Sequence, residues 1–435
     1  MELVTGVKME KSMEIGTEVQ VRGSVYALRD MGNLIFLILR RREGLLQGVI
    51  SGEGAKSYLK DVGEADTIEI SGILSENEKA PGGVEVIVDG VNVLSKATGE
   101  MLPLPISKWR LQTSLEAKLN YRAIALRNLR ERAKFKLQEG LVRGFRDYLY
   151  AHGFTEIHTP KLAARGAEGG ANMFRLDYFH KPAVLSQSPQ FYKQMMVGVY
   201  DRVFETAPAF RAEKHNTKRH LNEYISLDLE MGYIDSFTEI MEMETGYLQA
   251  AFALLKAEYQ KELRILDLEL PKVEAIPAVR FSEIKELVAR EYGHKIKNPF
   301  DLEPEEEVLI SRYAKEKWGT DFVFVTHYPT KKRPFYAMED PEDRNYTLSF
   351  DLLFRGMEIT TGGQRIHDYH ELLEKIASRG MTIEGMEQYL MAFKHGMPPH
   401  GGLGIGLERL TMKLCQEENV RETTLFPRDM SRLEP

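Results

Sequence analysis

Between Phe210 and Met231 the chain reads FRAEKHNTKRHLNEYISLDLEM, the stretch that most restricts what it can fold into. It opens with Phe-Arg-Ala-Glu and crosses a run holding Lys214, His215, Lys218, Arg219 and His220. It closes in the alternating segment Tyr224-Ile225-Ser226-Leu227-Asp228-Leu229-Glu230. Period-two alternation beside loop chemistry predicts two strands joined by a long basic loop. Guanidinium forks grip phosphate oxygens bidentately, and Lys or His adds point charge, so such a loop suits a polyphosphate. A solvated hairpin tip would carry the same charges, and the stretch taken alone does not separate the two.

At 435 residues the chain exceeds one ordinary core, so two or three domains are expected. Five β-rich runs fill residues 16 to 95: EVQVRGSVYAL, LIFLILR, LLQGVIS, DTIEISGIL and VEVIVDGVNVL, with a helical patch, AKSYLKDV, between the third and fourth. That order matches an OB-fold barrel, and residues 1–95 are read as this domain. Such barrels stack unpaired bases on aromatics and hydrogen-bond their edges. Tyr26, Arg29, Phe36 and Gln47 are candidates for that face, Gln47 lying near the Arg40-Arg41-Arg42 run. Aromatics on barrel strands also serve as core. A formal net charge of −7 excludes a global basic field, so nucleic acid must be met by local patches.

Residues 96–128 carry Pro103 and Pro105 with few periodic apolar positions and read as a hinge. Residues 129–435 form the larger domain. A long amphipathic helix from Leu129 to His152 stops at Gly153 and runs into FTEIHTPKL, a short strand ending at Pro160. Helices are expected over 236–263, 282–292, 304–317 and within 370–393. Strands are expected in FVFVTHYP, PFYAME and YTLSFDLLFRGMEITTGG, and a glycine-rich strand feeds a last helix in GMPPHGGLGIGLERLTMKLC. Strands and helices mixed without regular βαβ alternation indicate an α+β fold, an antiparallel sheet flanked by helices. The single cysteine, Cys415, excludes an intramolecular disulfide and a Cys-rich zinc site and fits a reducing compartment. No apolar run approaches the ~20 residues that span a bilayer, so no membrane is expected. MELVTGVKMEKSMEIG lacks an apolar signal core, and the expected location is cytoplasmic.

Three segments in order resemble motifs 1, 2 and 3 of the class II aminoacyl-tRNA synthetases: residues 129–160, Phe210-Arg211-Ala212-Glu213 with its loop, and Gly404-Ile405-Gly406-Leu407-Glu408-Arg409. The N-terminal barrel narrows this to the aspartate, asparagine and lysine subgroup. QSPQFYKQ (187–194), RHLNE (219–223) and GGQRIHD (362–368) are similar to the aspartyl enzymes of archaeal type. The resemblance covers essentially the whole chain. It implies ATP-dependent formation of aspartyl-adenylate from L-aspartate, followed by transfer to the terminal ribose of tRNA.

The resemblance also implies roles. Arg211 grips the α-phosphate, Arg409 lies against adenine and holds the γ-phosphate, and Tyr224 supplies an aromatic wall. Glu213, Arg219, His220 and Leu221 belong to the loop around ATP, with Glu358, Gly406, Leu407 and Glu408 on its other side. Planar guanidinium can stack and fork, which lysine cannot. Glu358 and Thr361 match the family's Mg²⁺ positions, with Asp351 a third, and a hard cation there takes oxygen ligands. Lys193 and Arg365 read the substrate side chain, Glu168 and Gln190 hold the amino group, and Arg211 and Thr361 also bind the aspartate. The remaining loop cations, Lys214, His215 and Lys218, are left to meet the acceptor end of tRNA.

A buried substrate carboxylate requires fixed cations. Asparaginyl relatives typically lack the lysine at position 193, so its presence implies aspartate. Phe36, Gln47 and Glu85 fall where the family's barrel reads the anticodon. Tyr26 and Pro81 fall where it separates enzymes strict for tRNA(Asp) from relaxed ones. Pro81 points to a relaxed enzyme that also charges tRNA(Asn), with an amidotransferase completing the conversion; Tyr26 matches neither pattern, and Arg41 replaces a usual acid. Motif 1 implies a homodimer. The alternatives are a strictly discriminating aspartyl enzyme, an asparaginyl enzyme, a non-catalytic RNA-binding paralogue and an asparagine synthetase. The paralogue would show a broken Arg211 or Arg409, and the synthetase would lack the barrel.

Overall fold

The computed structural model describes residues 14–52, 57, 60–99, 101–166, 172–214 and 217–435. The chain divides into two compact units: residues up to Ala133 with Gln260–Leu268, and Lys134–Tyr259 with Glu269–Pro435.

In the first unit, β1 (Glu18–Asp30), β2 (Leu34–Arg40), β3 (Leu45–Ser51), β4 (Thr67–Glu76) and β5 (Val84–Ser95) close a barrel in the order β1-β2-β3-β5-β4. Val19, Val21, Leu37, Leu39, Ile68, Ile70 and Val86 fill it, each at the inward phase of its strand. β1 is long enough to pair with β4 through its first half and β2 through its second. The register shifts between Val25 and Ala27, so Tyr26 is the extra residue of a β-bulge. The helical patch expected at 55–62 falls largely outside the described residues. The proline-bearing stretch after β5 has apolar anchors of its own: Leu104, Ile106, Leu111 and Ala125 pack with Tyr26, Ile38 and Leu45.

The second unit holds β6 (Thr155–Glu156), β7 (Leu162–Ala163), β8 (Arg175–Tyr178), β9 (Lys181–Leu185), β10 (Arg202–Phe210), β11 (Glu223–Gly232), β12 (Ala278–Arg280), β13 (Phe322–Thr326), β14 (Ser349–Phe354), β15 (Glu358–Arg365) and β16 (His400–Gly406). Eight of them form one sheet, ordered β12-β13-β14-β15-β16-β11-β10-β6, while β7, β9 and β8 make a small second sheet. The large sheet is antiparallel except at its two outer pairs, β6–β10 and β12–β13, which run parallel. Two strands do flank the basic loop, pairing from Arg202↔Met231 to Phe210↔Glu223, but the first lies earlier than expected: β10 ends at Phe210, so Arg211, Ala212 and Glu213 already belong to the loop.

Helices cover the sheet. The helix Leu129–Ala151 ends as expected before Gly153, which takes φ +78°. Leu137, Leu141, Phe145 and Leu149 recur every four residues and are fully buried, giving one apolar face. Phe145 meets Tyr247 edge-on at 5.1 Å and Phe204 at 5.7 Å. Gly144 lets this helix approach the helix Thr238–Glu258 closely: a Cβ there would stand 2.8 Å from the Ala251 Cα. The helices Phe281–Tyr292 and Pro304–Tyr313 pack on β13 and β14 through Phe281, Ile284, Val288 and Ile310. The helical stretch expected over 370–393 is two helices, Tyr369–Ser378 and Glu387–Lys394; Gly380 and Gly385, both at positive φ, lie between them.

Beneath β15, Glu244 is wholly buried and accepts a 2.5 Å hydrogen bond from the Thr360 hydroxyl. Burial pushes its carboxyl up to about 8, with the nearby charge of Asp351 adding to the rise. The folded state therefore keeps a proton that the unfolded chain releases above about 4.5, so this group's contribution to stability falls as pH rises from there to about 8. Glu244→Gln, isosteric with the protonated acid, should flatten the decline in thermal midpoint between pH 5 and 8. An unchanged slope would show Glu244 to be ionised.

Candidate active site

A cavity of about 730 Å³ opens in the second unit over β11, β15 and β16. Ten Lys or Arg side chains line it against four carboxylates, so the cleft suits a polyanion although the chain as a whole is acidic.

At one end lies a buried charge cluster. Asp228 and Glu230 stand two apart on β11 and so share a face, where each meets a cation. Lys193, on the helix Gln190–Tyr200, places Nζ 2.9 Å from Asp228 Oδ1, 2.9 Å from the Leu403 carbonyl and 3.3 Å from Glu230 Oε2. Arg365 donates from Nε to Glu230 Oε1 at 2.8 Å and from Nη2 to the Gly402 carbonyl at 2.9 Å. Burial alone would raise the Glu230 carboxyl; Arg365 and then Lys193 overcome that and hold it below the ordinary carboxylate value. Behind them Gln194 bridges the Tyr389 hydroxyl and His400 Nε2, with burial lowering His400 to about 4. The imidazole is therefore neutral at physiological pH. Facing the cavity, Gln190 Nε2 and Asp228 Oδ2 are buried without hydrogen-bond partners.

At the other end sit the two arginines. Arg211 follows β10 and is fixed by reciprocal bonds with Asn222: its N–H donates to the Asn222 carbonyl at 2.9 Å, and Asn222 Nδ2 donates to its carbonyl at 2.7 Å. Its guanidinium carbon lies 5.7 Å from the centre of the Tyr224 ring. Arg409, on the helix Leu407–Leu414 that continues β16, reaches the Glu358 carboxylate at 3.4 Å and the Glu358 carbonyl at 3.2 Å. Glu358 opens on the cavity within the cleft walls. Burial would raise it, but Arg409, Arg211, Arg333 and Arg219 hold it low. Across the strand pair, Asp351 faces Thr361, and the Thr361 hydroxyl lies 3.3 Å from Glu358 Oε1. Burial and the Glu358 charge raise Asp351 to about 6, although Arg333 pairs with it at 2.7 Å.

The cavity gathers the expected substrate and nucleotide residues Gln190, Lys193, Arg211, Glu213, Arg219, His220, Leu221, Tyr224, Glu358, Thr361, Arg365, Gly406, Glu408 and Arg409. Three details differ from expectation. Leu407 turns its side chain into the core. Glu408 is buried and spends its carboxylate on the Ile225 N–H, at 3.0 and 3.1 Å. Arg219 is paired with Glu307, whose carboxylate also accepts the Glu358 N–H at 2.9 Å. Glu168 and His215 lie outside the described residues. Lys218 is exposed beside Glu418 at 3.4 Å.

Sequence reasoning missed Asp228, Glu230, Arg333 and Glu307. The first two had a signal, a pair of acids at alternate positions in an otherwise apolar strand. Glu307 had none within its run of glutamates, and Arg333 none within KKRP.

On the barrel, cross-strand pairing sets Arg29 opposite Phe36 and Gln47 opposite Glu85 on the outer face. Gln47 and Asn77 both donate to Glu85 Oε2 at 2.7 Å, and Pro81 is buried in the turn Pro81–Gly83 nearby. Arg41 pairs with Glu43 at 3.4 Å. Tyr26 is a correction: the bulge turns its ring into the packing around Ile106. Its hydroxyl donates to the Ile106 carbonyl at 2.6 Å, leaving the side chain 5% exposed and unavailable to a base.

The model of the tRNA synthetases class II (D, K and N) matches residues 114–430, and that of the OB-fold nucleic acid binding domain matches residues 19–94. The chain belongs to the class II tRNA synthetases. Among similar proteins of this family, those named aspartate–tRNA(Asp/Asn) ligase in Deinococcus radiodurans and Thermus thermophilus are each 47% identical. The first alignment covers 97% of this chain and 96% of the relative, the second 97% of both. The aspartate–tRNA(Asp) ligase of Pyrococcus furiosus is 39% identical over 97% of both chains. The asparaginyl-tRNA synthetase of Pyrococcus horikoshii, solved with asparaginyl-adenylate, superposes with a TM-score of 0.88 at 32% identity over 97% of both chains. The aspartyl-tRNA synthetase of Entamoeba histolytica gives 0.86 at 31%, covering 97% of this chain and 90% of that one. Synthetases for aspartate and for asparagine thus share this backbone, and overall shape does not select between the two amino acids.

Gly402 is where the charge cluster is most easily disturbed, because a Cβ there would overlap the Glu230 carboxylate and the Leu229 carbonyl. Gly402→Ala should displace Glu230, loosen Arg365 and raise the KM for the amino acid at least about tenfold, the scale of one misplaced charged contact. Amino-acid-dependent ATP–pyrophosphate exchange at saturating ATP checks this.

Proposed function

We propose that the chain is an aspartate–tRNA ligase that also charges tRNA(Asn). The observation that carries the choice of amino acid is Lys193 beside Arg365 in a water-poor end of the cleft. Both cations line the cavity as well as bonding Asp228 and Glu230, and once Asp228 turns to the substrate ammonium a side-chain carboxylate, unlike a neutral amide, restores the charge balance of the cluster. The ligase names of the relatives support the same reading.

In this reading the substrate α-carboxylate oxygen attacks the α-phosphorus of ATP. The new P–O bond forms as the bond to the bridging oxygen breaks, and pyrophosphate leaves with that electron pair. A hydroxyl of the tRNA terminal ribose then attacks the acyl carbon, and AMP departs. Arg211 meets charge developing on the α-phosphate; Arg409 and Arg219 meet the outer phosphates, Arg219 after exchanging Glu307 for phosphate. Such fixed charges need no reorganisation during reaction. Asp228 Oδ2 and the Gln190 side-chain oxygen accept from the substrate ammonium, a role that the family resemblance also gives Glu168.

Asp351, Glu358 and Thr361 would hold Mg²⁺. The fit rests on an all-oxygen donor set brought together on one strand pair, Asp351 opposite Thr361 and the Thr361 hydroxyl 3.3 Å from Glu358 Oε1. When bound, the ion neutralises phosphate charge. On the barrel, Phe36, Gln47 and Glu85 present the anticodon face, with Arg29 opposite Phe36. Pro81 in its buried turn, and the relatives named for both tRNAs, favour relaxed tRNA choice, which calls for an amidotransferase partner. A homodimer is supported by apolar surface at Leu162 and Tyr178 on the small sheet and Phe179 in its β8–β9 turn, 46%, 46% and 81% exposed. Among the described residues no helix is long and apolar enough to cross a membrane, which accords with a cytoplasmic enzyme.

Lys193→Leu should reduce aspartate-dependent ATP–pyrophosphate exchange at least about 100-fold, because it removes one of two charges reading the side chain. Exchange driven by asparagine and not by aspartate in the wild type would overturn the reading. Aminoacylation of tRNA(Asp) and tRNA(Asn) transcripts side by side tests the second part. Charging of tRNA(Asp) alone would refute relaxed choice and leave the aspartate assignment intact.

A further inference from the structure

Away from the cleft, the side chains of His294, Glu303 and Glu306 converge, with ligand atoms all within 4.8 Å of one another. Glu306 is fully buried in the first turn of the helix Pro304–Tyr313. Its Oε2 accepts from Lys285 Nζ at 2.7 Å and from the Glu303 N–H at 2.8 Å. Its Oε1 has no hydrogen-bond partner, and neither does His294 Nε2, although both atoms are buried. These two atoms face each other at 3.5 Å, and the His294 side chain is only 7% exposed. Tetrahedral zinc, with bonds of about 2.0–2.2 Å to nitrogen and oxygen, sets neighbouring ligand atoms about 3.3–3.6 Å apart.

The local charge points the same way. Glu303 and Glu306 converge on the His294 imidazole, Glu305 lies 3.9 Å from its Nδ1, and one ammonium, Lys285, pairs with Glu306. With the imidazole neutral, as a ligand must be, two negative charges remain for a divalent ion to balance. Glu303 caps the helix through its side chain, accepting the Glu306 backbone N–H, which occupies one carboxylate oxygen and leaves the other. An imidazole with carboxylates suits zinc-class ions over Mg²⁺, which prefers oxygen alone.

We propose that His294 Nε2, Glu306 Oε1 and a Glu303 carboxylate oxygen bind one divalent transition-metal ion of the zinc class, with water completing its shell. The ion ties the turn at Gly293–His294 to the start of the helix Pro304–Tyr313. The next residue, Glu307, holds Arg219 and the Glu358 N–H at the edge of the nucleotide cleft. The site is structural, and the assignment does not depend on which amino acid the enzyme activates.

The test uses full-length protein stripped with chelator and titrated with Co²⁺ in excess Mg²⁺, which keeps the hard-oxygen site of the cleft occupied. One equivalent should bind with visible ligand-field absorption of tetrahedral or five-coordinate cobalt, and Zn²⁺ should displace it. His294→Gln and Glu303→Gln, the latter keeping an acceptor for the helix cap, should each weaken Co²⁺ binding at least about tenfold. Circular dichroism confirms that each variant is folded, and a Zn²⁺-dependent rise in thermal midpoint should occur in the wild type and vanish in both. No tight Co²⁺ binding by the wild type would overturn the proposal and leave His294 and Glu306 as an ion pair. Unchanged binding in both variants would overturn it as well.

Discussion

The interaction on which the site depends is the buried cluster of Lys193, Arg365, Asp228 and Glu230, none more than 6% exposed. Removing four charges from water costs several kcal/mol each before pairing, and mutual attraction recovers this only with good geometry. That geometry is built into the sheet. β11 carries the two acids on one face, β15 brings Arg365 through the pairing of Arg365 with His400, and β16 supplies glycines where the side chains cross. The Gly402 and Leu403 carbonyls complete the coordination of the two cations. The central strands are thus held to one register by the charges they position, since a slip of one residue would turn every acid to the other face.

The nucleotide end follows a different rule. Arg211, Arg219, Arg333 and Arg409 come from separate segments, and each is restrained by an acid, a carbonyl or a ring. Glu307, Asp351 and Glu358 accept most of these contacts. Concentrating positive charge in an acidic chain needs such counter-charges, which keep the arginines in place before a polyanion arrives. Any anion entering the cleft must therefore exchange with a carboxylate already paired to these arginines.

Much of this was legible in the sequence. Alternation in YISLDLE and the basic run before it marked β10, β11 and their loop. The glycines before Glu408 and Arg409 marked a strand feeding a helix. Local pattern reached these features because a strand's period and a helix's start are properties of neighbouring residues. It failed at Tyr26, where one extra residue in β1 re-aims the ring, and at Glu307, whose partners lie 88 and 51 positions away. Nor did it mark Leu104 and Ile106 as buried anchors, because apolar residues flanking a proline have no period to betray them.

The sequence by itself determined the order of the barrel and the antiparallel domain, the family, and the chemical types that line the cleft: several arginines, a lysine, and a glutamate with a threonine. Only the tertiary structure decided how those groups are held. It paired Asp228 and Glu230 with Lys193 and Arg365, engaged Arg219 with Glu307, and left His294 and Glu306 facing each other without a hydrogen bond. The physical reason is range. Secondary structure and motif spacing arise from residues a few positions apart, whereas a buried charge finds its partner across the sheet, where chain separation carries no information and burial makes the pairing obligatory.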